Sequence, residues 1–333
     1  MSPPRPAHPL VSIVVPVLDE EGCIDELARR VRGALAGEGV EHELLFVDDG
    51  SRDRTPERIE ALRRGDRTVC AIRFTRSFGH QAALAAGLRY ARGDAVVTMD
   101  GDLQHPPELL PRLLSAWRAG SDVVHTVRRL PSGARRDAKE RAGRAFYRLM
   151  NGLARVPVVP AGADFRLLDR RVVDAFNALE EHFVFLRGLI PWFGFRESTV
   201  EYEVGQRFAG RSKYRLSPML RLAFDGIFAF SVVPLRLITL LGLLTTLAGV
   251  AYGVFWLAAY FAGRIGQAGW TSLIVLVLVF GGVQLLSIGI VSEYVGRTYE
   301  EVKRRPRYVI DSLSDGRGER APGEGASRGA PRD

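Results

Sequence analysis

Two stretches of this chain carry no charge: residues 237–263 and 265–292 contain no Asp, Glu, Lys or Arg, and Arg264 alone divides them. Each exceeds the roughly 20 apolar residues that a helix needs to cross a bilayer, and hydrocarbon tolerates ionisable groups least. Two membrane-spanning helices are therefore expected, over Leu237–Ala262 and Trp270–Ser292. Tyr260, Phe261 and Trp270 fall near their outer ends, where bilayer interfaces favour aromatic rings. Gly281, Gly282, Gln284 and Gly289 suit close helix contact within the membrane. Basic residues crowd both flanks: Arg207, Arg211, Lys213, Arg215, Arg221 and Arg236 before, Arg297, Lys303, Arg304, Arg305 and Arg307 after. That asymmetry puts both flanks in the cytoplasm and the short turn outside. The net charge of +8 is then expected to face anionic headgroups, and no nucleic-acid partner is expected.

The rest of the chain reads differently. Up to about Ser231 polar and apolar residues mix as in a soluble enzyme, and the N-terminus has no signal-peptide core, so this part is expected to stay in the cytosol. The two cysteines, Cys23 and Cys70, have neither metal-ligand spacing nor a disulfide framework. Apolar runs at Leu10–Leu18, Glu43–Val47, Val69–Phe74, Ala95–Met99 and Asp122–Val127 alternate with helical patterns at Ile24–Leu35, around Ile59 and Leu62, at Ala82–Ala91 and at Leu109–Ala119. Such alternation predicts an open, mainly parallel α/β sheet with helices on both faces. Ser217–Val233 reads as an amphipathic helix lying in the membrane interface.

Three of the strands end in acids: Asp19/Glu20, Asp48/Asp49 and Asp100/Asp102. Parallel strands point their carboxyl ends to one edge, the edge where open sheets bind ligands. Asp100 and Asp102, two apart on extended chain, can turn to the same side, and Gly101 between them permits close approach. Clustered carboxylates repel, so a divalent cation or the donor groups of a nucleotide should compensate. No Gly-x-Gly-x-x-Gly follows the first strand and no Walker lysine is present, which sets aside dinucleotide and P-loop readings. His80 and His105 read as hydrogen-bonding turn residues, since neither has a partner at zinc spacing.

With Val15-Pro-Val-Leu-Asp-Glu20, Val47-Asp-Asp-Gly-Ser51 and Asp100-Gly-Asp-Leu-Gln104 in place, the chain resembles the inverting family-two GT-A glycosyltransferases. Ala163-Asp-Phe-Arg-Leu167, Phe185-Leu-Arg-Gly188, Gly210-Arg-Ser-Lys-Tyr214 and the two apolar segments narrow the resemblance. They are similar to the polyprenyl-phosphate members: bactoprenol-phosphate glucosyltransferases, dolichol-phosphate mannose synthases and aminoarabinose transferases. The likeness spans roughly residues 9–310. It implies a Rossmann-like GT-A domain over 10–215, a juxtamembrane helix over 216–235, a two-helix anchor over 236–296 and a cytoplasmic tail over 297–333. Residues 1–9 and those after about 312 fall outside it and read as disordered.

The resemblance also implies roles. Asp100, Asp102 and Gln104 form the metal and diphosphate locus for Mg²⁺ or Mn²⁺, with the division of contacts left open. Pro16, Leu18 and Glu20, with Asp48 or Asp49, hold the nucleobase and ribose; Asp100 contributes on the nucleotide side too. The acceptor is the phosphate of a polyprenyl lipid such as undecaprenyl phosphate. A phosphate monoester is mostly dianionic at neutral pH, so its oxygen needs cationic positioning more than a general base. Arg128, Arg141, Arg144, Arg211, Ser212 and Lys213 are the candidates for that clamp, although Arg128 could equally be a solvated side chain. Asp164 is expected to serve the reaction centre by orientation or as a weak base; an ion pair with Arg166 is the plainer reading. UDP-glucose is the favoured donor and GDP-mannose the alternative, on an inner or plasma membrane, by a homo-oligomer with a tetramer as one form. A processive polysaccharide synthase would carry Gln-x-x-Arg-Trp and more membrane helices, and neither occurs here. A non-catalytic nucleotide-binding anchor would have no use for acidic strand ends and basic clamp candidates together.

Overall fold

The computed structural model describes residues 5–129, 162–179, 181, 186–203, 233–262, 270–315 and 318–320. They form two units, one built on a sheet and the other on two long helices. Each is described by itself.

The sheet has nine strands among the described residues, in the order β7-β5-β6-β4-β1-β2-β3-β8-β9. They are β1 Leu10–Val17, β2 Glu41–Asp48, β3 Val69–Phe74, β4 Ala95–Thr98, β5 Val123–Arg129, β6 Gly162–Asp169, β7 Glu197–Glu203, β8 Ile310–Asp315 and β9 Gly318–Arg320. The centre, β4-β1-β2-β3, is parallel throughout. β6 runs against β4 and against β5, whereas β5 and β7 are parallel to each other. β5 and β7 therefore share the direction of β1 to β4. The α/β sheet predicted from strand–helix alternation is thus present, mixed but mostly one-directional.

The central strands are apolar because both faces are covered. Seven of the eight residues of β1 are buried. α1 (Ile24–Leu35) buries Ile24, Leu27, Ala28, Val31 and Leu35, one stripe at helical spacing. α2 is Thr55–Gly65 and α3 is His80–Tyr90. The small residues of α3 let it lie close: a Cβ on Gly87 would stand 2.1 Å from Val14 Cγ1. After Pro106 and a single 3₁₀ turn at Pro107–Leu109 comes α4 (Leu110–Arg118), whose Trp117 is buried and donates Nε1–H to Asp169 at 2.8 Å. α5 (Arg170–Asn177) is capped by the Asp169 side chain, and α6 spans Leu186–Trp192.

Both ends of this unit correct the sequence reading. Residues 5–9 are not loose: Arg5 stacks over Trp117 at 4.6 Å and donates to the Ser121 carbonyl at 2.6 Å, with Asp122 and Asp169 each 3.6 Å away. Beyond residue 312 the chain is not disordered at once. β8 extends the sheet antiparallel to β3, Leu313 is buried, and Tyr308 stacks on Phe74 with ring centroids 5.0 Å apart. A polar, serine-rich strand gave no hydrophobic alternation to read, yet an open sheet edge offers it backbone partners.

In the second unit, α7 covers Val233–Phe261 and α8 covers Trp270–Val302. Their apolar windows, Leu235–Phe255 and Val279–Val302, have mean hydropathies of 1.9 and 1.4 and no buried residue. A core helix of a soluble protein would be covered instead. Hydroxyls within these helices turn back onto their own backbone, as Thr245 does to Leu241 O at 3.0 Å and Ser287 to Val283 O at 2.8 Å. α8 does not stop at Ser292, where its apolar pattern ends. It continues through an Arg297–Glu293 ion pair of 2.9 Å to Val302. The amphipathic helix expected at Ser217–Val233 lies, up to residue 232, outside the described residues.

Candidate active site

The carboxyl edge of β1, β2 and β4 collects the acids, as parallel pairing requires. Val17 lies across from Asp48, and Asp49 N–H bonds Val17 O at 3.0 Å. The loops after β1 and β2 are fastened to each other. Asp19 N–H donates to Ser51 Oγ at 3.0 Å, Arg52 N–H to Asp19 at 2.8 Å, and Glu20 N–H to Thr55 Oγ1 at 2.9 Å. Leu18 stands 45% exposed at this edge, free to meet a flat apolar ligand face, while Pro16 stays in β1 across from Val47.

The neighbouring acids Asp48 and Asp49 do different things. Asp49 is saturated: it accepts Ser77 Oγ at 2.7 Å, Phe78 N at 2.6 Å and Gly79 N at 3.0 Å. It therefore clamps the loop before α3. Asp48 accepts Ser51 N at 2.9 Å through Oδ1, but its buried Oδ2 has no hydrogen bond and only Arg73 Nε at 3.5 Å. Burial pushes its carboxyl upward, against the opposing pull of Ser51. Of the two, Asp48 keeps a free acceptor.

At the end of β4, Asp100 and Asp102 flank Gly101. Asp102 accepts Gln104 N at 3.0 Å and also the Gln104 side-chain amide. Gln104 thus orients Asp102. Asp100 Oδ1 is buried without a hydrogen bond, although the side chain as a whole keeps 36% of its surface exposed. Crowding by the protein pushes this carboxyl up, with His105 and His80 pulling the other way. The Glu20 carboxyl is raised by burial and then by the charge of Asp102, which marks these two acids as neighbours. Gly101 is required by packing: a Cβ there would lie 2.7 Å from Cγ1 of the buried Val17. Gly101→Ala is expected to cost about 1–3 kcal/mol, to be read as a lowered melting temperature of the full-length protein.

Asp164 comes from β6, and the antiparallel register explains its place. Thr98 pairs with Arg166, so continuing by two residues on each strand sets Asp100 across from Asp164. Asp164 is buried and takes both Nε and Nη2 of Arg187, at 2.9 and 2.7 Å, together with Arg166 Nη2 at 3.0 Å. Burial disfavours its charge, yet His80, Arg187 and Arg166 together hold the carboxyl well below the usual range. A carboxylate so engaged orients others and is a poor base. The expected ion pair with Arg166 is present as part of this larger group. Burial would lower the His80 imidazole, but Asp164 and Asp100 outweigh it and raise it.

His80 and Arg187 are the residues that sequence reasoning passed over. His80 was expected only to bond within a turn, and Arg187 stood inside a family motif without a role. Of the clamp candidates, Arg128 lies at the end of β5, which brings its backbone to the same sheet edge as Asp100. Arg141, Arg144, Arg211, Ser212 and Lys213 lie outside the described residues. Among the described residues, no three His, Cys, Asp or Glu side chains form a ready metal cage. Asp100, with one open oxygen, beside the Asp102 carboxylate nevertheless suits Mg²⁺ or Mn²⁺, because such ions keep waters and take substrate phosphates as ligands. The buried, unbonded Asp100 Oδ1 is the observation in favour.

An α/β sheet with convergent carboxylates, followed by a long apolar helical hairpin, defines a membrane-associated transferase-like architecture. The chain belongs to glycosyl transferase family 2: residues 12–176 match that family, and residues 233–298 match the family described as the GtrB C-terminal hairpin. It is 42% identical to the uncharacterized glycosyltransferase YkcC of Bacillus subtilis, with 91% of this chain and 94% of that one covered. It is 38% identical to a prophage bactoprenol glucosyl transferase homolog of Escherichia coli K12, covering 90% and 98%. The SfII prophage-derived bactoprenol glucosyl transferase of Shigella flexneri is 39% identical, covering 90% and 97%.

Proposed function

We propose that this protein transfers a hexose from a nucleoside diphosphate sugar, with UDP-glucose as the donor, to the phosphate of a polyprenyl lipid on the cytoplasmic leaflet. The names of the bactoprenol glucosyl transferase relatives and the C-terminal hairpin support the acceptor class. The single observation that carries the chemistry is Asp100, with a buried and unbonded oxygen beside Asp102 at the carboxyl edge of the sheet.

Asp100 and Asp102 would hold Mg²⁺ or Mn²⁺ there, with Gln104 keeping Asp102 in orientation. Such an ion supplies electrostatic compensation for charge on the departing diphosphate. Asp48, through its free oxygen, would accept a nucleobase N–H, while Pro16, Leu18 and Glu20 border the nucleoside. Asp49 acts one step removed, by fixing the loop before α3. The lipid phosphate is already deprotonated near neutral pH, so the protein need not remove a proton from it. Asp164 holds Arg187 in place, and Arg187, with the clamp candidates Arg128, Arg141, Arg144, Arg211, Ser212 and Lys213, would receive the acceptor phosphate. One in-line displacement converts an α-linked sugar nucleotide into a β-linked lipid phosphate sugar.

Purified protein with undecaprenyl phosphate and a panel of labelled sugar nucleotides tests this reading. Lipid-linked label is expected from UDP-glucose, with loss on EDTA and return on excess Mn²⁺ or Mg²⁺. Product from GDP-mannose alone would change the donor. Undiminished product in EDTA would remove the metal.

A further inference from the structure

Asp100 and Asp164 face each other from adjacent strands, and one side chain stands between them. His80 Nε2 lies 3.4 Å from Asp100 Oδ1 and 3.5 Å from Asp164 Oδ2. Its backbone is held from behind. Ser77, Phe78 and Gly79, the three residues before it, all donate to Asp49. Gly79 has a φ of 100°, a left-handed conformation that turns the chain sharply into α3. The loop is also packed against Gly50, where a Cβ would stand 2.7 Å from the Arg76 carbonyl carbon. On the other side, Gln81 Oε1 accepts the N–H of Leu186, the residue before Arg187, at 3.3 Å. The first turn of α3 thus joins the nucleotide end of the sheet to the Asp164–Arg187 pair.

We propose that His80 is a positioning residue that sets the separation between Asp100 on the donor side and the Asp164–Arg187 pair on the acceptor side. The inference rests on the transferase reading above. The two carboxylates repel each other, and they are not equally anchored. Asp164 is fixed by two arginines, whereas among the described residues Asp100 has no arginine on it and leaves one oxygen without a hydrogen bond. Without the imidazole, whose Nε2 stands 3.4 and 3.5 Å from the two carboxylates, Asp100 is the partner that moves. A displacement there shifts the leaving diphosphate relative to the incoming phosphate, and misplacement by about 1 Å can cost on the order of 10²-fold in rate. Binding of the donor, which depends on the nucleoside pocket as well, is affected far less.

The test uses the full-length protein in lipid nanodiscs, with His80→Ala and His80→Gln. Glutamine carries a polar amide at about the reach of Nε2, so it can restore a polar side chain between the two carboxylates. The expected result is a kcat for His80→Ala at least about 30-fold below wild type, with the KM for the sugar nucleotide and calorimetric Mn²⁺–UDP affinity within about threefold. His80→Gln should recover most of the loss. With an active wild type, a His80→Ala kcat within about twofold overturns the inference. So does a loss confined to nucleotide KM or Mn²⁺–UDP affinity, which would make His80 part of the donor pocket. A His80→Gln variant as slow as His80→Ala, with both melting early, would leave only a fold-stabilising role and also overturn it. A wild type that labels lipid from none of the sugar nucleotides overturns the transferase reading and this inference with it.

Discussion

Asp100→Asn should reduce hexose transfer to polyprenyl phosphate by about 10³-fold while leaving the melting temperature near that of the wild type. The substitution keeps the shape of the side chain and removes its charge. Stabilising the leaving diphosphate through a bound cation is worth several kcal/mol, and each ~1.4 kcal/mol is a factor of ten. Among the described residues no arginine pairs with Asp100, while His80 and His105 approach it at 3.4 and 3.6 Å. Loss of its charge therefore orphans no guanidinium among the described residues. Single-turnover rates at saturating donor, measured across a Mn²⁺ titration, provide the check; a rate within tenfold of wild type would take Asp100 out of the metal site. Asp102→Asn should be as slow, and for an added reason. Its new amide would meet the Gln104 N–H groups with a donor where Asp102 offers acceptors.

Asp164→Ala should act on the fold as strongly as on the rate. It would take the Asp164 carboxylate away from Arg166, whose side chain is 3% exposed, and from Arg187. Breaking a buried pair from one side costs about 3–5 kcal/mol, because the remaining charge stays in a dry site. The measurement is thermal unfolding of the full-length protein, with Asp164→Ala/Arg166→Met as the control that removes both charges and should regain part of the loss. A single mutant that melts with the wild type would show that water or another group already compensates Arg166. The pH dependence follows from the lowered carboxyl. A group whose folded pKa lies below its unfolded value of about 3.9 gives its full contribution above that value. Stability from Asp164 should therefore be level from about pH 5 to 8, and fade as the pH falls from about 3.9, where the unfolded chain takes up the proton, toward the lower folded value.

The sequence made the centre of the sheet readable because its strands are buried on both faces and separated by amphipathic helices. The same regularity put Asp19/Glu20, Asp48/Asp49 and Asp100/Asp102 on one edge. What alternation could not reveal was direction. β6 runs backwards, and only that reversal sets Asp164 opposite Asp100. Nor could the pattern tell Asp48 from Asp49, since adjacent identical acids differ only in which loop amides reach them. His80 opens a helix of small residues, and nothing in local composition separates it from an ordinary turn histidine. The two apolar helices were legible from missing charge alone, but the end of α8 was not. Beyond Ser292 its cohesion comes from i,i+4 and i,i+3 ion pairs such as Glu293–Arg297 and Glu300–Lys303, which leave no apolar signature.

The β3–β8 pairing has a consequence for parity. β3 is made before the chain reaches α7, and β8 only after it leaves α8, yet the two exchange backbone hydrogen bonds in one sheet. Hydrocarbon leaves no room for an open sheet edge, so Phe74 and Ile310 must share a compartment. An odd count of traverses between them is ruled out. If α7 crosses a bilayer, a second crossing is needed before Ile310, and α8 has the length and apolar window to make it, whichever leaflet the polypeptide entered from.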